Sequence, residues 1–244
     1  MQSLESKVVV VTGASRGIGA GIARLFAGEK CRLVLCGRDQ DKLDKVAASL
    51  KLPERDIAVI SCDISRMSGM KRIVKRSWQK FGGVDIFINN AGVGASGPIE
   101  ELAPEDYDSV FDTNVKAVYY CFRELIPRMK EQGHGQIINI SSMAGKQGVP
   151  DLAVYSASKA ALNALSEAVG GEVRGDNIKI SVLAPGSTDT GFGSRSAGEP
   201  RAVSSSKMKL LVDDVAEAVL FLARQNENAW MSLAEVRPLI TKRA

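Results

Sequence analysis

The stretch from Lys7 to Gly19 reads KVVVVTGASRGIG, four valines that lead into three spaced glycines. The valines predict a buried strand, and the apolar Ile18, Ile22 and Phe26 beyond them lie at helical spacing. Glycines between a strand and a helix let a pyrophosphate approach the backbone, and the helix amino terminus supplies free N–H donors. The spacing G-x-x-x-G-x-G therefore predicts a dinucleotide site. A glycine-rich turn that only packs helix on strand is the alternative.

Short β-branched runs and longer amphipathic stretches continue to alternate along the chain. Strands are predicted at 7–12, 32–36, 57–61, 84–88, 136–140, 178–183 and 233–240, with a last helix at about 212–224. This order predicts an α/β fold, a single-domain Rossmann-type doubly wound parallel sheet of about seven strands with helices on both faces. Residues 1–244 are expected to form a single dinucleotide-binding and catalytic domain. The Gly/Ser/Pro/Arg-rich segment within 186–210 is longer than ordinary connections and predicts a substrate-binding lid.

Composition excludes several classes of protein. The 244 residues carry a net charge of +4 with 45% hydrophobic content, which excludes disorder. Because no apolar run is long enough to cross a membrane and no signal peptide is visible, we expect a cytoplasmic protein without a membrane partner. The basic residues Lys71, Arg72, Lys75, Arg76 and Lys80 indicate a solvated helix face rather than a nucleic-acid surface. The four cysteines lack metal-ligand spacing, so no metal is expected.

Further motifs follow the glycine turn in a specific order. They are Asp63-Ile64 after the third predicted strand, Asn89-Asn90-Ala91-Gly92 after the fourth, Ser142, Tyr155-Ser-Ala-Ser-Lys159, and Pro185-Gly186. In this order and spacing, over nearly the whole chain, the sequence resembles the compact single-domain branch of the short-chain dehydrogenase/reductase family. The resemblance implies an NADP(H)-dependent oxidoreductase that interconverts a carbonyl and an alcohol, with a small-molecule substrate.

The resemblance also assigns cofactor contacts. The glycine motif would contribute Gly13, Ser15, Arg16, Gly17, Ile18 and Gly19. Asp63 and Ile64 would hold the adenine, and Asn90, Ala91 and Gly92 would line the adenosine ribose. Pro185 and Gly186 fit the segment at the nicotinamide carboxamide, with Thr188 and Thr190 as candidate contacts.

The end of the second strand indicates which dinucleotide binds. A carboxylate there pairs with the ribose hydroxyls of NAD, whereas a cation accommodates the 2′-phosphate of NADP. By resemblance that position holds Gly37, with Arg38 beside it and Arg16 as a second guanidinium. Asp39 is the counter-argument, and we interpret it instead as the N-cap of the second helix. NADP is therefore favoured over NAD, although two solvated arginines are the alternative.

Tyr155 and Lys159 carry the predicted chemistry. They lie four residues apart in a helical pattern, so their side chains share the face that should be buried. A tyrosine and a lysine on a buried face are costly unless they are paired or functional. A neighbouring ammonium favours the phenolate, so Tyr155 is expected to act as acid in reduction and base in oxidation, with its pKa lowered by Lys159. In the family this lysine also holds the nicotinamide ribose.

Two further residues complete the expected site. Ser142 matches the family's substrate-orienting serine, and Ser141 is the competitor one residue away. Asn114 falls on the apolar stripe of a helix predicted from about Pro104 to Met129, where its amide must find internal hydrogen bonds. In the family this position completes an Asn–Ser–Tyr–Lys tetrad and anchors a water that relays protons to the lysine. A purely structural asparagine is the alternative. The lone His134 is interpreted as a loop residue without partners for a triad or metal site.

Substrate and assembly are less constrained by the sequence. Substrate contacts are expected from Gly94–Ser96, Met143–Val149 and the lid, where Phe192 and Met208 are apolar and Arg195, Arg201, Lys207 and Lys209 are basic. A 3-oxoacyl-(acyl-carrier-protein) reductase is one alternative, although the carboxyl-terminal sequence looks more like relatives that reduce diverse carbonyls. A non-catalytic NADP-binding sensor and a sugar-nucleotide epimerase are others. Relatives commonly form tetramers, so a homo-oligomer, tetramer or dimer, is expected.

Overall fold

The computed structural model describes residues 1–191 and 209–239, and the backbone of two short strands at 193–196 and 199–202. Within this part of the chain seven parallel strands form one sheet, and they are β1 (Val8–Thr12), β2 (Arg32–Gly37), β3 (Ile57–Ser61), β4 (Ile86–Asn89), β5 (Gly135–Ile140), β6 (Ile178–Pro185) and β9 (Leu233–Val236). Their order in the sheet is β3-β2-β1-β4-β5-β6-β9. The predicted doubly wound sheet is confirmed.

Helices connect the strands on both faces of the sheet. They are α1 (Gly17–Gly28), α2 (Gln40–Ser49), α3 (Met67–Phe81), α4 (Pro104–Phe111), α5 (Ala117–Gln132), α6 (Ala153–Val173) and α7 (Val212–Ala223). The strands β7 (Gly193–Ser196) and β8 (Glu199–Ala202) pair antiparallel in a separate hairpin within the predicted lid. The side chains of Phe192, Arg195, Arg201, Lys207 and Met208 lie outside the described residues.

The valines of β1 show why the strands are apolar on both sides. Val9 and Val11 belong to the core cluster that includes α1 and α7, whereas Val8 and Val10 belong to the opposite cluster with α3 and α5. Alternate residues of a strand point to opposite faces, so a strand covered on both sides needs a continuous apolar run. The four valines therefore join the two halves of the core.

Two elements differ most from the sequence prediction. The final strand ends at Val236 rather than 240, and Pro238 lacks the N–H that a continued strand would need. The single helix predicted from about Pro104 to Met129 is interrupted by a π-helical turn at Asp112–Lys116. Tyr107, expected on the apolar stripe, is 48% exposed, whereas Val110 is buried.

Candidate active site

A cleft of about 690 Å³ opens at the carboxyl edge of the sheet. It spans the ends of β1 and β4, which are neighbours although two strands and their helices separate them in sequence. The strand order reverses at this point, and connections leave it in opposite directions, so a crevice forms there in open α/β sheets. The fold therefore places the cleft where the motifs predicted it.

Most of the predicted site residues line this cleft. They are Gly13, Ser15, Arg16, Gly17, Ile18, Arg38, Asp63, Ile64, Asn90, Ala91, Gly92, Ser142, Tyr155, Lys159, Pro185, Gly186, Thr188 and Thr190. Gly19 and Asn114 lie behind its wall. The topology thus brings together residues that are as much as 177 positions apart in the chain, from Gly13 to Thr190.

The turn between β1 and α1 forms the first end of the cleft. Arg16, the N-cap residue of α1, makes no side-chain capping hydrogen bond, so the first N–H groups of the helix are left for a ligand to accept from. A Cβ on Gly19 would lie 2.3 Å from the carbonyl oxygen of Gly13, so only glycine fits. Asn90 Nδ2 donates to the carbonyls of Thr12 at 2.8 Å and Gly13 at 3.3 Å. This turn can therefore hold an anion at a helix amino terminus.

Arginine side chains mark the same end. Arg38 lines the cleft and is exposed, and among the described residues its guanidinium has no carboxylate partner. Arg16 is also exposed, and its Nη1 donates to the carbonyl of Gly191 at 2.9 Å. Their guanidinium groups suit a phosphate group.

Asp39 is the N-cap of α2, as predicted. Its Oδ1 accepts a hydrogen bond from Lys42 N at 3.0 Å, and its Oδ2 lies 2.7 Å from Lys42 Nζ. Hydrogen bonds from Lys42 hold the pKa of the Asp39 carboxyl below its usual value. The Asp39 carboxylate therefore bonds to residues of its own helix rather than facing a ligand in the cleft.

Helix α6 positions the side chains at the other end. Tyr155 is 9% exposed and Lys159 is 4% exposed, and both line the cleft. A hydrogen bond joins the side chains of Tyr155 and Ser142. Lys159 Nζ donates to the carbonyl of Ile140 at 2.9 Å and lies 5.8 Å from the centre of the Tyr155 ring. Ser141, the competitor, instead donates to Asn163 Oδ1 at 2.6 Å.

Burial dominates the ionisation of this pair. It raises the pKa of the Tyr155 phenol, and the hydrogen bond with Ser142 opposes that rise. Burial also lowers the pKa of the Lys159 ammonium to about 8. The expectation that Lys159 lowers the pKa of Tyr155 is not met in this structure, because burial raises that pKa and the cause that opposes the rise is the hydrogen bond with Ser142 rather than the ammonium. A neutral phenol is the form that can donate a proton.

Asn114 lies in the π-helical turn that interrupts the predicted long helix. Its Oδ1 accepts from Val93 N at 3.0 Å, and its Nδ2 donates to Val93 O at 2.9 Å and to Ser158 Oγ at 3.0 Å. The amide is 1% exposed and finds its hydrogen bonds internally, as predicted. The π turn, a feature often found at functional sites, lets this side chain join the β4 loop to α6.

The substrate contacts agree only in part with the sequence prediction. Met143, Ala144 and Val149 line the cleft, but none of Gly94–Ser96 does. Sequence reasoning missed several lining residues, which are Val93, Thr113 and Leu152, whereas Ser187 and Asp189 belong to the segment predicted as a lid. They adjoin predicted motifs, so proximity to those motifs was the available signal. Lys209 also lines the cleft, and its Nζ lies 3.7 Å from Asp189 Oδ1.

His134 lies in a loop at the opposite, amino edge of the sheet. Its Nε2 lies 3.0 Å from Asp85 Oδ1, a partner that the sequence did not suggest. Among the described residues no group of three His, Cys, Asp or Glu side chains is placed to hold a metal ion. No helix in the described ranges is long and apolar enough to cross a membrane.

Comparisons with known proteins point in one direction. The family model for short chain dehydrogenases matches residues 7–199. An uncharacterized oxidoreductase of Staphylococcus aureus (strain MRSA252) is 34% identical over 239 residues, which cover 98% of this chain and 100% of the relative.

Solved structures show the same likeness. A metagenomic short-chain oxidoreductase in complex with NADP is 36% identical with a TM-score of 0.82, covering 98% of this chain and 100% of that chain. A 3-ketoacyl-(acyl-carrier-protein) reductase from Brucella melitensis complexed with NADH is 30% identical with a TM-score of 0.84, covering 96% and 98%.

Proposed function

The chain belongs to the short-chain dehydrogenase/reductase family of oxidoreductases, and from this premise we propose that it interconverts a carbonyl group and an alcohol with NADP(H). The observation that carries the proposal is that Ser142, Tyr155 and the buried Lys159 line one cleft, which begins at a glycine turn. These groups match the acid, the substrate-orienting hydroxyl and the cation that carbonyl reduction needs.

The residues of the cleft fit a nicotinamide dinucleotide. The amino terminus of α1, which the N-cap side chain leaves uncapped, suits a pyrophosphate. Gly19 keeps the turn before it tight, because a Cβ at this position would collide with the carbonyl of Gly13. Asp63 and Ile64 would hold the adenine, Asn90–Gly92 the adenosine ribose, and Tyr155 with Lys159 the nicotinamide ribose. Pro185, Gly186, Thr188 and Thr190 would face the carboxamide. A bound NADPH supplies hydride to the carbonyl carbon.

Preference for NADP over NAD rests on the end of β2. Gly37 and Arg38 line the cleft, and the carboxylate that follows them in the chain, that of Asp39, is held by Lys42. Arg38 and Arg16 therefore provide positive charge where a 2′-phosphate would lie, and Asp39 does not offer its carboxylate to the ribose hydroxyls. The relatives compared above include proteins complexed with NADP and with NADH, so the proposed preference rests on the residues of this chain and not on the family.

Side chains of the cleft supply the proton that the reduced carbonyl oxygen takes up. Tyr155, kept neutral by burial, donates its phenolic proton to the alkoxide oxygen that forms as the carbonyl is reduced. The Ser142 hydroxyl orients the carbonyl oxygen and stabilises the charge that develops there. Lys159, which is deprotonated more easily than an exposed lysine, lies where it can return a proton towards Tyr155. Asn114 holds the β4 loop against α6 and keeps these groups in register.

The test is a substrate panel followed by a single substitution. Cyclohexanone, benzaldehyde, ethyl acetoacetate, acetoacetyl-coenzyme A and a 2-amino alcohol are offered with NADPH or NADP, and absorbance of NADPH is followed. For the best substrate, Tyr155→Phe should lower kcat by about 10³-fold and leave NADPH binding, measured by fluorescence, unchanged. No turnover of any compound by the wild-type protein, or substantial activity of Tyr155→Phe, would refute the mechanism.

One alternative function has a specific observation in its favour. The Brucella relative is named as a 3-ketoacyl-(acyl-carrier-protein) reductase, so acetoacetyl-coenzyme A in the panel tests that reading. A preference for the thioester over the other carbonyls by 100-fold or more in kcat/KM would support it. Isomerisation of a sugar nucleotide without net NADPH consumption would favour an epimerase instead.

A homo-oligomer is also part of the proposal. Exposed apolar side chains lie on two surfaces, with Tyr107 and Tyr119 on α4 and α5, and Phe221 and Leu233 near the edge strand β9. Exposed apolar surface of this kind is typical of an interface. Multi-angle light scattering should give the mass of a tetramer or a dimer, and a single monomer peak would exclude both.

A further inference from the structure

Asn163 lies on the same face of α6 as the two candidate catalytic side chains. It follows Tyr155 by eight residues and Lys159 by four, so the three side chains form one row along the helix. Unlike the other two, Asn163 does not line the cleft, and it is half-buried. The proposed mechanism gives it no role.

The amide of Asn163 joins both ends of one short turn. Its Oδ1 accepts a hydrogen bond from Ser141 Oγ at 2.6 Å, and its Nδ2 donates to the carbonyl of Gly145 at 3.1 Å. Between these anchors the chain makes a single turn of 3₁₀ helix at Met143–Gly145. Ser142 lies inside the bracketed segment, next to the first anchor.

The turn has little freedom apart from these anchors. Ser142 Oγ accepts from Ala144 N at 3.1 Å, and Gly145 N donates to the carbonyl of Ser142 at 2.9 Å. A Cβ on Gly145 would lie 2.7 Å from the carbonyl carbon of Lys159, so the turn rests directly on the backbone of α6. The position of Ser142 relative to Tyr155 is thus set by how the turn is fixed to this helix.

We propose that Asn163 is a positioning residue that holds the Ser142 turn against α6, so that the Ser142 hydroxyl meets Tyr155 and the substrate carbonyl. This inference rests on the proposed function, because it concerns the same reaction. A single side chain clamps the turn at both ends, while the same helix carries Tyr155 and Lys159. The helix therefore fixes all three groups of the reaction relative to one another.

Removal of the clamp should lower catalysis more than binding. A misplacement of about 1 Å in a reacting group can cost up to about 100-fold in rate, so Asn163→Leu should lower kcat by about 10- to 100-fold. Asn163→Leu should leave the Kd for NADPH unchanged, because Asn163 touches none of the residues proposed to bind the phosphates. Since the bond from Ser142 lowers the pKa of Tyr155, its loss should move the alkaline limb of the kcat profile to higher pH.

A double-mutant cycle with Ser142→Ala separates positioning from general stability. If Asn163 acts through Ser142, Asn163→Leu should change kcat by less than about twofold once Ser142 is alanine. Both single variants should also show the same alkaline shift of the pH profile. If the two substitutions multiply fully in their effects on kcat, or if Asn163→Leu leaves the pH profile unmoved, the proposal is overturned.

Ser166→Ala is the matched control. Ser166 lies one helical turn further along α6, is 1% exposed, and loses a comparable pair of hydrogen bonds, to Asn139 Nδ2 at 2.8 Å and Leu162 O at 2.7 Å. It should lower Tm without changing kcat or its pH profile. Asn163→Asp is the second variant, because it keeps the acceptor for Ser141 Oγ but loses the donor to Gly145. It should lower kcat in the same direction, and unchanged kcat would count against the proposal.

The experiment also distinguishes failure of this inference from failure of the proposed function. All variants are assayed with NADPH and the panel carbonyl that the wild-type protein reduces fastest. An inactive wild-type protein would refute the function itself. An active wild-type protein, with Tyr155→Phe inactive and Asn163→Leu behaving like Ser166→Ala, would refute only the positioning role.

Discussion

At the amino edge of the sheet, the carboxylate of Asp85 accepts hydrogen bonds from Val8 N at 2.8 Å and Lys7 Nζ at 2.9 Å, and His134 Nε2 lies 3.0 Å from it. At the carboxyl edge, the ammonium of Lys159 is 4% exposed and bonds to the backbone carbonyl of Ile140, with no carboxylate partner among the described residues. The amino edge surrounds a partly buried charge with partners, and the carboxyl edge leaves a buried charge without a counter-ion among the described residues.

This difference separates groups that stabilise the fold from groups that serve a ligand. Burying an ionised side chain without a counter-ion costs free energy, so such a group persists where function requires it. A paired carboxylate at the start of three strands instead ties β1, β4 and β5 together. Substitutions at the carboxyl edge should therefore change chemistry or ligand preference, and substitutions at the amino edge should change the free energy of unfolding.

The largest change in ligand preference is expected at the cofactor end of the cleft. Arg38→Ala should lower the ratio of kcat/KM for NADPH to that for NADH by about 10- to 100-fold, because a charge-assisted hydrogen bond to phosphate contributes about 1.5–3 kcal/mol. The exposed guanidinium adds little to folding, so Tm should not change. The measurement is steady-state kinetics with both cofactors, together with thermal unfolding.

Arg76→Ala is the control for this prediction. Arg76 is an exposed arginine on α3 that does not line the cleft, so its removal should leave the cofactor ratio as it is. An equal cofactor ratio in Arg38→Ala and the wild-type protein would show that Arg38 is a solvated surface residue. A wild-type preference for NADH would remove the basis of the NADP proposal.

A substitution at the amino edge of the sheet should change the free energy of unfolding. Asp85→Asn should lower the free energy of unfolding at pH 7 by about 1–3 kcal/mol, because three donors lose a charged acceptor. Burial opposes ionisation of Asp85, but hydrogen bonds from Val8, Lys7 and His134 together lower its pKa below the usual value. A lowered carboxyl pKa stabilises the fold above the unfolded value of about 4, and this contribution is lost as pH falls through the folded pKa.

Urea unfolding at pH 7 and at pH 3 tests whether the contribution of Asp85 to stability falls as the pH is lowered. The deficit of Asp85→Asn should shrink at the lower pH, while kcat at pH 7 should equal that of the wild-type protein. Glu227→Gln, which removes an exposed carboxylate from a loop, should change neither quantity. A deficit that is the same at both pH values would mean that packing, rather than charge, accounts for the role of Asp85.

Local sequence patterns could predict much of this molecule. The run from Lys7 to Gly19 fixes a buried strand, a turn and a helix through the period of its apolar residues and the spacing of its glycines. Tyr155 and Lys159 share a helix face because they are four residues apart, and that relation needs no tertiary information. The order of alternating strands and helices predicts a parallel sheet, so the residues that follow each strand were expected at one edge.

Long-range and irregular features could not be predicted in this way. The π turn around Asn114 adds a residue to a helix without changing its apolar pattern, so the sequence favours one continuous helix. Asp85 and His134 are 49 positions apart, and only the pairing of β4 with β5 brings them together. The same is true of Asn163, whose clamp depends on the path of a turn that lies 18 residues earlier in the chain.

The smallest expected change in stability tests the other side of the comparison. Lys159→Met should abolish turnover yet raise the free energy of unfolding at pH 7 by about 1 kcal/mol. Burial lowers the pKa of Lys159 from 10.5 to about 8, so the folded state binds that proton less tightly than the unfolded state. The resulting penalty is about 3 kcal/mol at pH 7, and the lost hydrogen bond to Ile140 offsets about 1–3 kcal/mol of the gain.

The pH dependence of the stability gained by Lys159→Met shows whether the buried ammonium is its cause. The penalty is fully present below pH 8 and disappears as pH rises towards 10.5, so the advantage of Lys159→Met in urea unfolding should shrink between pH 7 and pH 10. Lys75→Met, at an exposed position on α3, should show no such dependence. If Lys159→Met is destabilised at pH 7 as Asp85→Asn is, the buried ammonium stabilises the fold, and the contrast between the two edges fails.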